Sequence, residues 1–374
     1  MEEYINETSA VMLHNIENRD ELIKPIISRL CSNPSITTLS IVASGSSYNA
    51  ALSALAFMRA HLPWQIELIT PFEFTYYGGT CRNREYLFIS QSGNSTNTLE
   101  AVRSANDRGI HTTLLTGNAD SSIAQAADDT ILYGVGEESV GYVTKGVSTL
   151  TLFLMLLALE YPQTSKSGSI GRGTCSRILE QLTSAAINHQ NMYKWAQYFC
   201  ESNRNALLNM KHILIISCGC NMGTAREGAL KISEMTHVQT SVYEIEEFLH
   251  GPDLQLTPEY TLFFIEGGDS AGRRVREVYE AIRVITPHAF LITPDAELLS
   301  MQLTNQCASA LVQDKAEIHL TKAIYSPLYL TAAFQYIAYW VAKELNITGE
   351  HPLYARFEEI IQCKTDLYTE DSPF

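Results

Sequence analysis

The chain has 374 residues, of which 45% are apolar and 18% charged, and its formal net charge is −15. This is the composition of an ordinary globular protein with room for two domains. The acidic balance argues against nucleic-acid binding, because no basic patch offsets it. The longest apolar run, Leu152–Leu159, is much shorter than the ~20 residues that cross a bilayer, so no membrane-spanning segment is expected.

The first residues, MEEYINETSA, lack the basic and apolar regions of a signal peptide. The eight cysteines are scattered, and none has a zinc-site spacing. We therefore expect a cytoplasmic protein with reduced thiols.

Strands and helices alternate along the first half. Residues 1–35 carry apolar side chains at helical spacing, which predicts an N-terminal helical segment. Short apolar runs predict strands at 38–43, 65–70, 86–89, 112–115 and 130–133. Apolar strands separated by helices indicate βαβ units and a parallel sheet. Val147–Leu159 is predicted as a long buried helix from its length and its content of Leu, Met and Ala.

The stretch Glu85–Thr98 reads as a strand, a tight polar loop and a helix. Its loop collects small hydrogen-bonding side chains: Ser90, Gln91, Ser92 and Ser95. Such side chains, with the backbone N–H groups of the helix N-terminus, form an anion site, and the expected anion is a phosphate. The alternative is that these residues only cap a helix after a buried strand.

The second half repeats the first. Ile41–Gly45 matches Ile215–Gly219, 174 positions later, and three further landmarks follow in the same order at offsets of 174 to 177. The repeat indicates a duplicated unit. At the offset of 175, Ser90, Gln91 and Ser92 correspond to Ile265, Glu266 and Gly267. Since a carboxylate repels an anion, the phosphate site is predicted only in the first copy.

A charged stripe follows the first strand of the second copy. Glu227, Lys231 and Glu234 have i, i+4 and i+7 spacing, which places them on one side of a helix. Such a stripe is usually a solvated, salt-bridged face. Here the helix follows a strand end, where open α/β sheets bind ligands, so a carboxylate of the stripe is a candidate base for removing a proton next to a carbonyl.

Two further polar residues, His250 and Thr144, are candidate functional residues. His250 stands before Gly-Pro in a turn, and an imidazole there suits proton transfer, although a surface histidine is the alternative. Thr144 precedes the long apolar helix and has the character of an N-terminal cap.

These motifs together resemble a known family: proteins with two SIS (sugar isomerase) domains, most closely the isomerase half of glucosamine-6-phosphate synthase. Ketosamine-6-phosphate deglycases are similar too. The matching stretches are SGSSYNAA, SQSGNSTNTLEAV, VTKGVST, EGALKISE and EFLHGP, in the family's order over residues 36–345. The resemblance implies two tandem doubly wound α/β domains of flavodoxin-like type. They would span 36–162 and 206–345, with a linker and connecting helix at 163–205 and a tail at 346–374.

The resemblance also implies roles for individual residues. Glu234 would be the base that moves a proton between C1 and C2 of the sugar, with Lys231 beside it. His250 would assist ring opening across a dimer interface, so a homodimer is implied. The sugar 6-phosphate would be held by Ser46, Ser47, Ser90, Gln91, Ser92 and Ser95. Candidate substrate contacts are Gly45, Val143, Thr144, Glu227 and Arg356. No metal and no organic cofactor is expected, since this chemistry needs only acid and base groups.

Two departures from the synthase stand out. About 35 residues precede the first predicted strand, too few for the synthase's glutaminase domain. His351-Pro352 is not followed by a lysine in the family's register, because the next lysine is Lys364. Arg356 could supply a cation there, but an arginine cannot form a Schiff base because it stays protonated.

The sequence therefore predicts an enzyme acting on a ketosamine or hexosamine 6-phosphate, by aldose–ketose proton transfer with release of an amine or amino acid. One alternative is an isomerising fructose-6-phosphate aminotransferase that uses ammonia or a partner glutaminase. An alternative of another class is a non-catalytic phosphosugar sensor, because a fold alone does not establish a function.

Overall fold

The computed structural model describes residues 1–78, 83–138, 142–164, 171–319, 321–347 and 353–365. Most of the Ser/Gly-rich part of the predicted linker, and much of the predicted tail, lie outside these residues. Two parallel sheets follow one another along the chain, each with helices on its faces.

The first sheet follows an N-terminal helical hairpin. Its strands are β1 (Thr38–Val42), β2 (Gln65–Ile69), β3 (Arg84–Ile89), β4 (Thr113–Thr116) and β5 (Asp129–Leu132). The helices of this half are α1 (Glu2–Glu17), α2 (Arg19–Cys31), α3 (Gly45–His61), α4 (Pro71–Tyr76), α5 (Thr96–Asp107) and α6 (Ser122–Ala126). The strand order is β2-β1-β3-β4-β5, and all strands are parallel. The direction in which successive strands are added to the sheet therefore switches between β1 and β3. Ligands bind at such a switch in open α/β sheets.

Long helices connect the two halves. They are α7 (Lys145–Thr164), α8 (Arg172–Ser202) and the short α9 (Arg204–Leu208). Helix α7 is buried on nearly every face, because its side chains from Val147 to Leu159 are almost all apolar. A helix that is apolar all round belongs in a core.

The second sheet repeats the first with one strand fewer among the described residues. Its strands are β6 (His212–Ser217), β7 (Thr240–Glu244), β8 (Tyr260–Ile265) and β9 (Ala289–Ile292), in the order β7-β6-β8-β9. The helices are α10 (Met222–Thr236), α11 (Ile245–Phe248), α12 (Gly272–Ile282), α13 (Ala296–Ser300), α14 (Asn305–Gln313), α15 (Pro327–Glu344) and α16 (Tyr354–Ile361). The predicted fold of two tandem parallel α/β units is thereby confirmed.

Helix α10 lies between the two units and packs against both α3 and α15. Two glycines allow the close approach. A methyl group on Gly223 would lie 2.2 Å from Ser53 Oγ in α3, and one on Gly228 would lie 2.7 Å from the ring of Phe334 in α15. Within the described residues, no helix has the length and apolarity of a membrane span.

Candidate functional site

The loop after β3 forms the polar part of the site. Ser90 is buried, and its Oγ donates to Ser95 Oγ at 3.4 Å. Gly93 has φ +68°, and a methyl group there would lie 1.9 Å from Ser121 Oγ, so this turn requires glycine. Ser95 is the N-cap position of α5, and Ser92 is exposed. The loop therefore presents hydroxyls at a helix N-terminus, as its sequence predicts.

The first turn of α3 lies beside this loop, because β1 and β3 are neighbouring parallel strands. Asn97 Nδ2 in α5 donates to Ser44 Oγ, just before α3, at 3.3 Å. Gly45 is exposed with φ +55°, and Ser47 is half-buried. Two helix N-termini thus meet at one edge of the sheet, an arrangement that favours an anion.

Ser46 has a different partner from the one expected of a phosphate ligand. Its Oγ donates to Glu227 Oε1 at 3.0 Å, and Asn49 Nδ2 donates to Glu227 Oε2 at 2.9 Å. Ser46 therefore connects the polar edge of the first sheet to the charged stripe on α10. Sequence reasoning missed Asn49, although it stands one turn after Ser46 in the quoted stretch SGSSYNAA.

The charged stripe is a connected cluster and not a solvated face. Glu227 and Lys231 are each 1% exposed, whereas Glu234 is 31% exposed. Lys231 Nζ lies 3.6 Å from Glu227 Oε1 and donates to Glu234 Oε2 at 2.7 Å. The ammonium thus holds the more accessible carboxylate in place, as a base that must meet a substrate requires.

Burial controls the protonation of this cluster. It raises the pKa of the Glu227 carboxyl, and the Lys231 ammonium with the Asn49 and Ser46 donors offsets only part of that effect. Burial alone would lower the pKa of Lys231, but the carboxylates of Glu227 and Glu234 outweigh it and the pKa lies above its usual value. Lys231 is therefore a cation at neutral pH.

The direction of α10 brings the cluster to the first sheet. Gly223 lies against Asn49 and Ser53, while Glu227 one turn later bonds to Ser46 and Asn49. The helix therefore runs antiparallel to α3, and its later turns continue past the start of α3 towards the loop of Ser90. Helix α10 begins at the carboxyl edge of its own sheet and leads away from it, so the charged stripe lies beside the start of α3.

His250 is not part of this cluster. It is exposed in the turn after α11, near the carboxyl end of β7. Glu234 lies near the other end of α10, about 18 Å from its first residue at a rise of ~1.5 Å per residue. The described contacts do not bring the two side chains together within one chain.

A side-chain cap at the start of α7 was missed by sequence reasoning. The Glu138 carboxylate accepts hydrogen bonds from the backbone N–H groups of Thr144, Lys145 and Gly146, at 2.7, 3.0 and 3.1 Å. It also accepts from Gln91 Nε2 and so positions that side chain of the loop. Thr144 Oγ1 donates to the carbonyl of Tyr142, so Glu138 is the cap that the sequence assigned to Thr144. Val143 is half-buried beside it.

The chain after α16 returns to the Ser90 loop. Thr96 N–H donates to the Cys363 carbonyl at 3.1 Å, and Thr365 N–H donates to the Asn94 carbonyl at 2.8 Å. Lys364 forms an antiparallel bridge with Ser95. A lysine outside the family's register is thus placed beside the loop by its backbone, whereas Arg356 is exposed on α16.

Comparison with known proteins shows which family the chain resembles. The sequence model of the protein family described as SIS domain matches residues 35–159 and 206–284, which are more than half of the chain. The glutamine–fructose-6-phosphate aminotransferase (isomerizing) of Clostridium tetani is 24% identical over 326 residues, covering 85% of this chain and 50% of that protein. The enzyme of that name from Pseudomonas syringae pv. tomato is 30% identical over 229 residues, covering 58% of this chain and 35% of that protein.

The chain spans half the length, or less, of these two curated relatives. Among solved structures, a candidate phosphosugar isomerase of Clostridium difficile 630 is similar with a TM-score of 0.80 and 22% identity. The similarity covers 99% of this chain and 98% of that one, and it extends to the whole fold.

Proposed function

Because the chain belongs to the SIS domain family, we propose that it is an enzyme acting on a ketosamine or hexosamine 6-phosphate. The observation that carries the proposal is the pairing of Lys231 with Glu234 on a helix that runs from α3 towards the Ser90 loop. A sugar whose phosphate sits at that loop would have its other end near Glu234. The relatives named as isomerising aminotransferases support a sugar 6-phosphate as the ligand class.

The proposed reaction is an aldose–ketose proton transfer followed by hydrolysis. With a ketosamine 6-phosphate, the Glu234 carboxylate removes a proton from C1. The C1–H electrons form the C1=C2 bond of an enolamine, while the carbonyl π pair moves onto O2, which takes up a proton. The proton then returns at C2, and the nitrogen lone pair forms the C1=N bond of an imine as the N–H proton is released. Water hydrolyses this imine to a free amine and a hexose 6-phosphate. Each step uses acid and base groups only, so the proposal includes no metal or organic cofactor.

The phosphate ligands in this proposal are the hydroxyls of Ser47, Ser90, Ser92 and Ser95, with Gln91 held ready by Glu138. Ser46 is assigned instead to Glu227, which it fixes in the interface between α3 and α10. Gly45 and the chain around Lys364 border the same loop.

Product analysis tests the activity. Purified protein is incubated without glutamine against the 6-phosphates of fructose, glucosamine, fructoselysine, glucoselysine and fructoseasparagine. We expect release of a free amine or amino acid together with a hexose 6-phosphate from one of the amine-bearing compounds. If a compound binds in a thermal-shift assay but is not turned over, the result would contradict the proposed enzymatic activity and favour a phosphosugar sensor.

An isomerising aminotransferase remains the second candidate, because the curated relatives carry that name and this chain aligns with only part of their length. Adding fructose 6-phosphate with ammonium separates the two. Formation of glucosamine 6-phosphate, without amine release from the ketosamines, would establish the aminotransferase and overturn the deglycase.

The exchange Glu234→Gln tests the base. The amide keeps the size of the side chain but cannot accept the proton, and general-base catalysis typically contributes roughly 10²–10⁴-fold. We expect kcat to fall by about that factor, while the affinity for the substrate, measured by calorimetry, stays close to the wild-type value. Glu259→Gln is the matched control, since Glu259 is an exposed carboxylate that pairs with Lys211 away from α10. Equal turnover by Glu234→Gln and this control would refute the assignment.

A further inference from the structure

The loop after β8 is the counterpart of the Ser90 loop in the second unit. Ser90 N–H donates to the Leu115 carbonyl at 3.1 Å, and Glu266 N–H donates to the Ile292 carbonyl at 3.1 Å. Helices α5 and α12 begin at Thr96 and Gly272, six residues after these positions. Glu266 therefore occupies the place of Ser90, one position away from the match to Gln91 made from sequence.

With this register, the four side chains proposed as phosphate ligands in the first loop are all replaced in the second. Gln91, Ser92 and Ser95 correspond to Gly267, Gly268 and Ala271. The second loop therefore offers an incoming phosphate none of the four side chains that define the first.

The Glu266 side chain is buried against the first residue of α12. It is 1% exposed, Arg276 Nη2 donates to its Oε1 at 2.7 Å, and Thr293 Oγ1 donates to the same oxygen. Its Oε2 has no hydrogen-bond partner among the described residues, and a methyl group on Gly272 would lie 1.9 Å from it. A carboxylate oxygen is thus pressed against the first residue of α12, with a guanidinium and a hydroxyl on its other oxygen.

A guanidinium and a hydroxyl are groups that hold phosphates in proteins, whereas the N–H groups of Ala271 and Gly272 at the start of α12 already donate to Asp269 Oδ1. We propose that the second unit keeps an anion cradle, formed by Arg276 and Thr293 beside the first residue of α12, and that the Glu266 carboxylate fills it permanently. The chain would then take up one phosphate, in the first unit, and not two. This statement on stoichiometry rests on the phosphate site proposed for the Ser90 loop, but the cradle itself does not.

Removing the carboxylate tests the cradle. Glu266→Ser installs the residue that the first unit has at this position, and the probe is inorganic phosphate measured by calorimetry and by melting temperature. We expect one bound phosphate per chain for the wild type and two for Glu266→Ser. In a background with Ser90→Ala and Ser92→Ala, the expected numbers are zero and one. A Glu266→Ser chain that gains no phosphate, or a wild-type chain that binds two, would overturn the proposal.

Two control variants separate occupancy from charge. Glu266→Gln removes the charge but still fills the cradle, so it should gain no phosphate. Glu280→Ala removes a carboxylate from the exposed groove beside Arg276, and it should gain none either. A gain by Glu280→Ala equal to that of Glu266→Ser would show a general charge effect and refute the cradle.

Two further outcomes are informative. Glu266→Ser leaves Arg276 without its buried partner, so phosphate should raise the melting temperature of this variant and not that of Glu266→Gln. A variant that stays unfolded in phosphate contradicts the proposal. If the wild type binds no phosphate while Glu266→Ser binds one, the cradle is upheld and the phosphate site of the first loop fails.

Discussion

At the scale of single residues, the buried charges of α10 are balanced within the helix and by α3. Glu227 accepts hydrogen bonds from Ser46 and Asn49 and lies 3.6 Å from the Lys231 ammonium, as the burial of a carboxyl group requires. This local balance lets Glu234 keep a partner while remaining accessible. The cluster thus divides the work between a carboxylate that holds the helices together and one that can meet a substrate.

His189 in α8 is the contrasting case of a buried group without partners. It is fully buried, neither ring nitrogen has a hydrogen-bond partner among the described residues, and burial lowers its pKa from 6.5 to about 3. Between these two values the unfolded chain binds a proton that the folded chain does not. The stability due to neutral His189 is therefore complete above pH 6.5 and is lost as the pH falls towards 3.

This sign gives a measurable slope. We expect the free energy of unfolding of the wild type to fall more steeply with decreasing pH than that of His189→Leu, by about 1.4 kcal/mol per pH unit. Urea denaturation at a series of pH values from neutral to mildly acidic measures both slopes. Parallel curves for the two proteins would show that the imidazole is protonated in the folded chain.

At the scale of elements, the distance between α3 and α10 decides where Glu234 lies. A methyl group on Gly223 would come within 2.5 Å of the Asn49 carbonyl and 2.2 Å of Ser53 Oγ. The backbone of α3 cannot yield as a flexible side chain does, so any added atom must move one helix. The glycine is therefore required for the packing that joins the two units.

The exchange Gly223→Ala tests this packing. We expect a loss of roughly 1–3 kcal/mol of stability from overpacking, and a fall in kcat larger than the loss of phosphate affinity, since Glu234 moves while the Ser90 loop does not. Gly173→Ala is the control, because a methyl group there meets nothing within 4 Å. If phosphate affinity falls while kcat is retained, the position of α10 does not control the proton transfer.

At the scale of the whole molecule, the separation of Glu234 and His250 points to two chains. Helix α10 starts at the carboxyl edge of the second sheet and ends near the start of β7, whereas His250 follows the end of β7. The homodimer that the family resemblance implies would complete a site that uses both side chains, and we propose this arrangement. In a twofold dimer each site would take Glu234 from one chain and His250 from the other.

Mixed dimers test this arrangement. Glu234→Gln and His250→Ala chains are each expected to be inactive alone. Their heterodimer would hold one site with both changes and one with neither, so an equal mixture should recover about a quarter of wild-type activity. The mixture is refolded together and assayed against each variant refolded by itself. No recovery would place both residues in one chain's site, or His250 outside it.

Much of the fold could be predicted from the sequence because it depends on patterns among neighbouring residues. Apolar runs and helical spacing predicted the strands of the first sheet and the helix now seen at Lys145–Thr164, and hydrophobic periodicity needs no knowledge of neighbours. The loop of Ser90 was readable for the same reason, since a strand, a glycine turn and a helix cap are consecutive in the chain. Asn49 and the bridge at Lys364 were not predicted, because their partners Glu227 and Ser95 are far away in sequence. The cap at Glu138 was missed although Thr144 is only six residues away, because a glutamate at that distance carries no standard capping signal.

By itself, the sequence determined the parallel α/β fold, the repeat and the residue types of the candidate site, because each depends on neighbouring positions along the chain. Tertiary structure decided which groups meet. Close packing at Gly223 and Gly228 holds α10 against α3 and α15, which turns a charged stripe into a cluster with Ser46 and Asn49. The hydrogen bonds between strands, and not the sequence match, show that Glu266 is the structural equivalent of Ser90.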